Sequence, residues 1–296
     1  MRSMWRPELK TLIEAVSVIA ALAVLTPVVS AQWPSTPSPR VPRTAAGQPD
    51  LTAPAPRTAD GKPDLSGIWD NGRNTGGGRG GAATLGLPGT AAPAPTANGV
   101  PPNATFFNVG AGFREGLPLR EWAAELVQKR MADNSKDNPD AHCLPMGFMQ
   151  FHTHSQPRKI VQTPDLLLII YEANSGLRQI FMDGRPLPGK DAEPWWYGYS
   201  VGKWEGDTLV VETTVFIDNI WLDVRGTPLT SEGKVIERFR RLNYGNLEIE
   251  ITIDDPKAYT RPWTVRVSQR IYPNTELIEF ICQERDAAHY VGATAR

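Results

Sequence analysis

The sequence predicts an all-β fold, an up-and-down antiparallel β-barrel of the calycin or lipocalin-like kind with eight or nine strands, and three observations predict it. Strand-length runs follow one another from residue 159 to residue 283. Many junctions carry turn residues, as in Thr163-Pro164-Asp165, Asn174-Ser175-Gly176, Tyr244-Gly245-Asn246 and Tyr272-Pro273-Asn274, and short turns join antiparallel neighbours. The run 197–216, YGYSVGKWEGDTLVVETTVF, alternates: Leu209, Val211, Thr213 and Val215 fall on one face, and Val210, Glu212, Thr214 and Phe216 on the other. Gly206, within the Glu205-Gly206-Asp207 turn, supplies the permissive backbone of a hairpin. A barrel of about eight strands has room for one small ligand. A two-sheet sandwich is the alternative arrangement of the same strands.

Residues 1–31 carry the three parts of a secretory signal: Arg2, Arg6 and Lys10 in front, an apolar run over 12–29, and Val29-Ser30-Ala31 as a small-residue cleavage site. Cleavage is expected after Ala31, which places the mature chain in the periplasm or outside the cell with no membrane span left. The alternative is an uncleaved anchor, since a bilayer-spanning helix needs roughly 20 apolar residues; Glu14 and Pro27 inside the run argue for cleavage. Losing three basic and two acidic residues with the signal moves the formal net charge from −1 to −2. Without a basic excess or cluster to hold phosphates, nucleic acid is excluded as a partner class.

Residues 32–102 are dominated by Pro, Ala, Gly, Thr and Ser and read as a linker. A motif repeats within it at a spacing of 14 residues, once from Pro42 to Thr52 and again from Pro56 to Ser66. The second copy runs into Ile68 and Trp69, which a linker has no use for, so these two are expected to dock on the barrel as an added strand or plug. The glycine-rich run 76–81 lacks the Gly-Lys-Ser/Thr ending of a phosphate loop and reads as linker. The barrel domain is expected over 103–296. Its one convincing helix is 119–132, LREWAAELVQKRMA, with Leu119, Trp122, Leu126 and the Val127 to Met131 side at helical spacing to cover the sheet. Beyond the 197–216 hairpin, strands are expected at 159–162, 166–172, 178–182, 235–242, 247–254, 264–271 and 277–283.

Cys143 and Cys282 form an even pair in an oxidising compartment and are expected to close a disulfide between the start of the strand region and its last strand, contributing roughly 4 to 5 kcal/mol in the chain-entropy model; the alternative is a redox or metal pair, for which they lack a Cys-x-x-Cys spacing.

Cys143-Leu144-Pro145 with Gly147, the run 180–185 (IFMDGR), the run 198–211 (GYSVGKWEGDTLVV), Ser231-Glu232, Glu237-Arg238-Phe239 and Asp255-Pro256 through Tyr259 and Pro262-Trp263 resemble a family of secreted bacterial proteins. The resemblance covers about residues 56–285, with Trp-Glu-Gly-Asp-Thr-Leu its most specific part. It implies secretion and a lipocalin-like β-rich fold. The family carries no established activity, so no catalytic residue follows from it.

Three groups of side chains offer chemistry. His142, His152 and His154 lie within 13 positions, and imidazoles at i and i+2 of a strand share a face, so a divalent metal is one reading, with Glu172 or Asp183 completing the site. The other is that they are polar residues of an irregular loop. Glu172, Asp183 and Glu237 are the candidates for acid or base work, which needs two carboxylates in environments that split their proton affinities. Arg178 and Arg185 are the candidates for holding an acidic ligand group. The alternative for all five is cross-strand ion pairing on an outer face. Trp195, Trp196, Tyr197, Tyr199 and Trp204 place five aromatics within ten positions. Such rings stack on sugars or phenolic compounds, although aromatics are also ordinary strand residues. Strand alternation would put Trp195, Tyr197 and Tyr199 on one face, and these three with Trp204 are the candidate ligand contacts.

Three functions fit: a binder of a small phenolic, lipid or sugar-derived ligand, an envelope enzyme on the same barrel, and a structural envelope protein. Binding predicts an aromatic lumen, catalysis predicts carboxylates or histidines converging in a pocket, and a structural role predicts a filled interior. No nucleophile elbow, Ser/His/Asp order or zinc-protease helix is present.

Overall fold

The computed structural model describes residues 41–71, 99–280 and 282. The signal segment 1–31 with its cleavage site, and the glycine-rich run, lie outside these. Nine strands close a barrel in the order β1-β11-β10-β9-β6-β5-β4-β3-β2. They are β1 (Gly67–Asp70), β2 (Arg158–Gln162), β3 (Leu166–Tyr171), β4 (Leu177–Phe181), β5 (Tyr199–Glu205), β6 (Thr208–Thr214), β9 (Lys234–Arg241), β10 (Asn246–Asp254) and β11 (Trp263–Ile271). A small separate hairpin, β7 (Ile220–Trp221) with β8 (Pro228–Leu229), interrupts the chain between β6 and β9.

The expected alternation builds the core. Leu247, Ile249, Ile251 and Ile253 of β10 point inward at no more than 1% exposure, as do Leu209, Val211 and Thr213 of β6. The outer face carries cross-strand ion pairs: Arg240 and Arg266 with Glu248, Arg238 with Glu205, and Lys234 with Glu212. The β5–β6 hairpin pairs Glu205 with Thr208, and Gly206 takes φ +61° in the turn. The alternation ends two residues earlier than expected, at Thr214, because Val215 turns into the left-handed region at φ +58° and leaves the strand.

Three expectations are corrected. The barrel is not wholly antiparallel: β4 and β5 pair parallel at Ile180↔Ser200 and Phe181↔Val201. The connection 182–198 is long enough to bring the chain back to the end from which β4 started, which a tight turn cannot do. The run 277–280 forms no strand, and Leu277 to Phe280 instead follow the surface as a strap. Ile278 N donates to Glu172, Ser175 Oγ donates to the Phe280 carbonyl, and the Cys143–Cys282 disulfide fastens the end. The linker boundary at 102 also moves, since β1 lies inside the segment 32–102. It sits between β2 and β11, antiparallel to both, and closes the barrel. Trp69 is fully buried and donates its indole N–H to the Leu65 carbonyl, while Arg241 stacks 4.8 Å above its ring. The expected docking of Ile68 and Trp69 as an added strand is what closes the sheet.

Both copies of the repeat fold alike. Thr44 N bonds to the Gln48 carbonyl and Asp50 N to that of Pro42, as Thr58 N does to Lys62 and Asp64 N to Pro56. Arg43 and Arg57 each close their own turn on a glycine carbonyl, and Arg57 also grips Asp207 of the β5–β6 turn.

Helix α1 (Glu121–Ala132) covers the barrel as expected, but on a narrower face. Ala123, Val127 and Arg130 are its buried residues, whereas Trp122 and Met131 are 40% and 44% exposed. Trp122 donates its indole N–H to the Lys257 carbonyl, and Arg130 stacks on Trp221, so docking is partly by hydrogen bonds rather than by a broad apolar stripe. A second helix, α2 (Phe148–Thr153), falls where the sequence reads as irregular loop, and all six of its residues are buried. Among the described residues no helix is long and apolar enough to cross a membrane.

Candidate functional site

The barrel interior carries charge as well as apolar side chains. Glu237 is an inward residue of β9, in step with Val235 and Phe239, and it is fully buried. Arg178 of β4, 1% exposed, donates to both its carboxylate oxygens, and its Nη2 also reaches Ser200 Oγ at 3.2 Å and Thr213 Oγ1 at 3.0 Å. His152 of α2 places Nε2 2.8 Å from Glu237 Oε1. An ionised carboxylate only accepts, so Nε2 carries the proton and Nδ1 is the bare nitrogen. Burial pushes His152 below its ordinary value of 6.5 and keeps it neutral, against the pull of Glu237. Burial alone would raise Glu237, but the charge and hydrogen bonds of Arg178, with those of His152, outweigh it and hold the carboxyl down at about 2. The His152 carbonyl accepts from Arg158 Nη1 and Gln269 Nε2, and Gln150 donates to the Trp221 carbonyl. These contacts bolt α2 into the barrel. Arg178 and Glu237, expected on a ligand site, an acid/base site or an outer face, instead form a sealed ion pair that fastens the plug.

Acid is therefore expected to loosen the fold in two stages. A group whose folded pKa lies below its unfolded one stabilises fully above the unfolded value and loses that contribution as pH falls. His152 begins the loss below its unfolded 6.5, and Glu237 adds about 3 kcal/mol between 4.5 and about 2. Glu172, raised by burial, acts in the opposite sense as its carboxyl protonates first in the folded state. Urea melts at pH 8, 5.5 and 3 check this; a midpoint unchanged down to pH 3 contradicts it.

The other expected chemistry is dispersed. Glu172 is 7% exposed and accepts from Ile278 N and Gln156 Nε2 beneath the strap, while Asp183 is paired with Arg185 on the outer surface. With Glu237 inside the barrel, the three carboxylates share no partner. The histidines separate too: His142 Nε2 bonds the Lys136 carbonyl, His152 takes Glu237, and His154 accepts from Gln156 N and meets Phe106 edge-on at 4.9 Å. Among the described residues no group of three His, Cys, Asp or Glu side chains is placed to hold a metal ion.

The aromatic cluster divides in two. Arg185, doubly held by Asp183, lies 4.0 Å above Phe181 and donates to Tyr199 Oη. Tyr199 stacks on Phe181 at 5.0 Å, and Trp195, 38% exposed, meets Tyr199 edge-on at 5.3 Å. Tyr197 does not join them. The strand begins only at Tyr199, and Gly198 at φ +67° reverses the chain, with no room for a Cβ between Phe216 and Thr213. Tyr197 accordingly turns inward to Phe151, and Trp204 packs partly buried against the core. The outer group is self-satisfied, with its cation already stacked and paired.

Open space lies elsewhere, around α1 and the loops 105–117 and 219–229. One cleft of about 470 Å³ is lined by Phe107, Asn108, Met131, Asn134, Ser135, Val224 and Arg225. A second, of about 310 Å³, shares Asn108 and Arg225 with it and is walled by Phe113, Leu117, Leu119 and Val127 with small loop residues. Asp223 holds the two loops together: its buried carboxylate accepts from Val109 N, Thr227 N and Thr227 Oγ1. Burial raises its pKa while those hydrogen bonds and Arg225 oppose the rise. Among the described residues Arg225 is the one ionisable side chain lining either cleft, and its Nε approaches Met131 Sδ at 3.0 Å. None of these residues except Met131, read as helix face, and the helix positions Leu119 and Val127 stood out in the sequence, because the walls come from segments with no periodicity.

No family model, curated protein or solved structure matches this chain.

Proposed function

We propose that the chain is a secreted, disulfide-closed β-barrel protein that binds a small, partly apolar molecule in the paired clefts beside α1. The observation that carries this reading is the larger cleft, whose volume falls in the range of small-molecule sites and whose walls combine the apolar Phe107, Met131 and Val224 with the polar Asn108, Asn134, Ser135 and Arg225. The lumen, filled by α2 and the Arg178–Glu237 pair, is not offered as the site. The signal-like segment 1–31 and the disulfide support export to the periplasm or beyond. A structural envelope role is the second reading, favoured by that same filled interior.

The test is titration with a neutral apolar dye such as Nile red. Saturable binding of one dye per chain is expected, lost in Val224→Glu and kept in Trp195→Ala, with both variants melting as the parent does. Binding that survives Val224→Glu, or no binding at all, sends the reading back to the structural role.

A further inference from the structure

We infer that the molecule held in these clefts is an amphiphile with a single carboxylate head, an inference that rests on the clefts being the ligand site. The head would sit where the clefts meet, against Arg225, with the apolar body along Phe107, Met131 and Val224.

The charge pattern carries this. Among the described residues Arg225 is the one ionisable side chain in the walls of either cleft, and it stands on the wall the two have in common. Among the described residues it forms no salt bridge. Its hydrogen-bond contact is with Met131 Sδ, a weak acceptor. Asp223, two positions before Arg225, is buried and its carboxylate is occupied by three donors from Val109 and Thr227. Several other surface guanidinium groups are already occupied, Arg57 with Asp207, Arg185 with Asp183, Arg238 with Glu205 and Arg240 with Glu248, and Arg43 and Arg120 on the backbone carbonyls of Gly47 and Pro256. Arg225 thus keeps most of its planar fork of donors, which matches a carboxylate in two-point geometry.

Asn108 adds a second donor on the same shared wall. Its Oδ1 accepts from Gly110 N, which fixes the amide so that Nδ2 is the end left to donate. A cation and an amide donor beside apolar walls select against an ammonium head, and a hydroxyl head would forgo the charge-assisted bond.

The experiment compares decanoate, decanol and decylammonium, each below its micelle concentration, as displacers of Nile red from the full mature chain. Decanoate is expected to bind about tenfold more tightly than decanol, the size of one partly exposed charge-assisted hydrogen bond, with decylammonium weakest. Added salt should narrow the gap. Arg225→Gln should abolish the decanoate preference while leaving decanol binding in place, and Arg225→Lys should keep part of it, since the charge remains without the fork. If all three compounds bind alike, or the preference survives in Arg225→Gln, the carboxylate inference is overturned and the cleft reading stands. If none displaces the dye, and the dye itself binds independently of Val224, both are overturned.

Discussion

Replacing Glu237 with Gln is expected to lower the free energy of unfolding by about 3 to 5 kcal/mol, the cost of leaving a buried charge without its partner. Arg178 is 1% exposed and has no water to turn to. Its remaining acceptors, Ser200 Oγ and Thr213 Oγ1, are neutral hydroxyls that already bond each other at 2.9 Å. A double replacement, Arg178→Met with Glu237→Gln, removes the stranded charge and should recover most of the loss, because a buried ion pair exchanged for neutral groups of similar volume is often close to neutral overall. The Gln carbonyl still accepts from His152 Nε2, so α2 keeps its anchor. Urea unfolding at pH 7 measures both. A single variant within 1 kcal/mol of the parent would mean that the Arg178 guanidinium reaches water, and that the pair is not what seats the plug.

Trp69→Ala should have an effect of similar size, about 3 to 5 kcal/mol for a large aromatic removed from a packed core. More than volume is lost. The indole is the underside of the Arg241 stack, and Arg241 in turn donates to the carbonyls of Asp64 and Tyr244, tying the second repeat copy to the β9–β10 turn. Since β1 is the strand that separates β2 from β11, its loosening exposes two strand edges at once, and such edges pair with other chains. The variant should melt earlier and aggregate during refolding. Trp122→Ala, at an indole 40% exposed, is the control expected to stay within about 1 kcal/mol. Equal losses in the two variants would show that β1 contributes little to closure.

Much of the barrel was legible because strand periodicity is a local property. Lys234 to Arg241 reads KVIERFRR, and period two alone sets Val235, Glu237, Phe239 and Arg241 on one face, the face that turned out to be inside. The turns were legible for the same reason, each written in a few adjacent residues. The aromatic run 195–199 was misread where the local rule lapsed: Gly198 reverses the backbone before the strand begins, so Trp195 and Tyr199 meet outside while Tyr197 goes in.

Alternation by itself determined that this chain is built of sequential strands and roughly where they lie, favouring a barrel over a sandwich, while the even cysteine count pointed to a disulfide and the Ile68-Trp69 pair to a docked strand or plug. Only the tertiary structure decided that an inward Glu237 is matched by Arg178, 59 positions away, and that six residues read as loop form the plug between them and the outside. It alone brought Asn108, Met131 and Arg225 around one cleft. The physical reason is that alternation fixes which face a side chain takes, whereas its neighbours on that face depend on strand order, register and loop paths. Those are settled by closing the barrel, and no short stretch of sequence contains them.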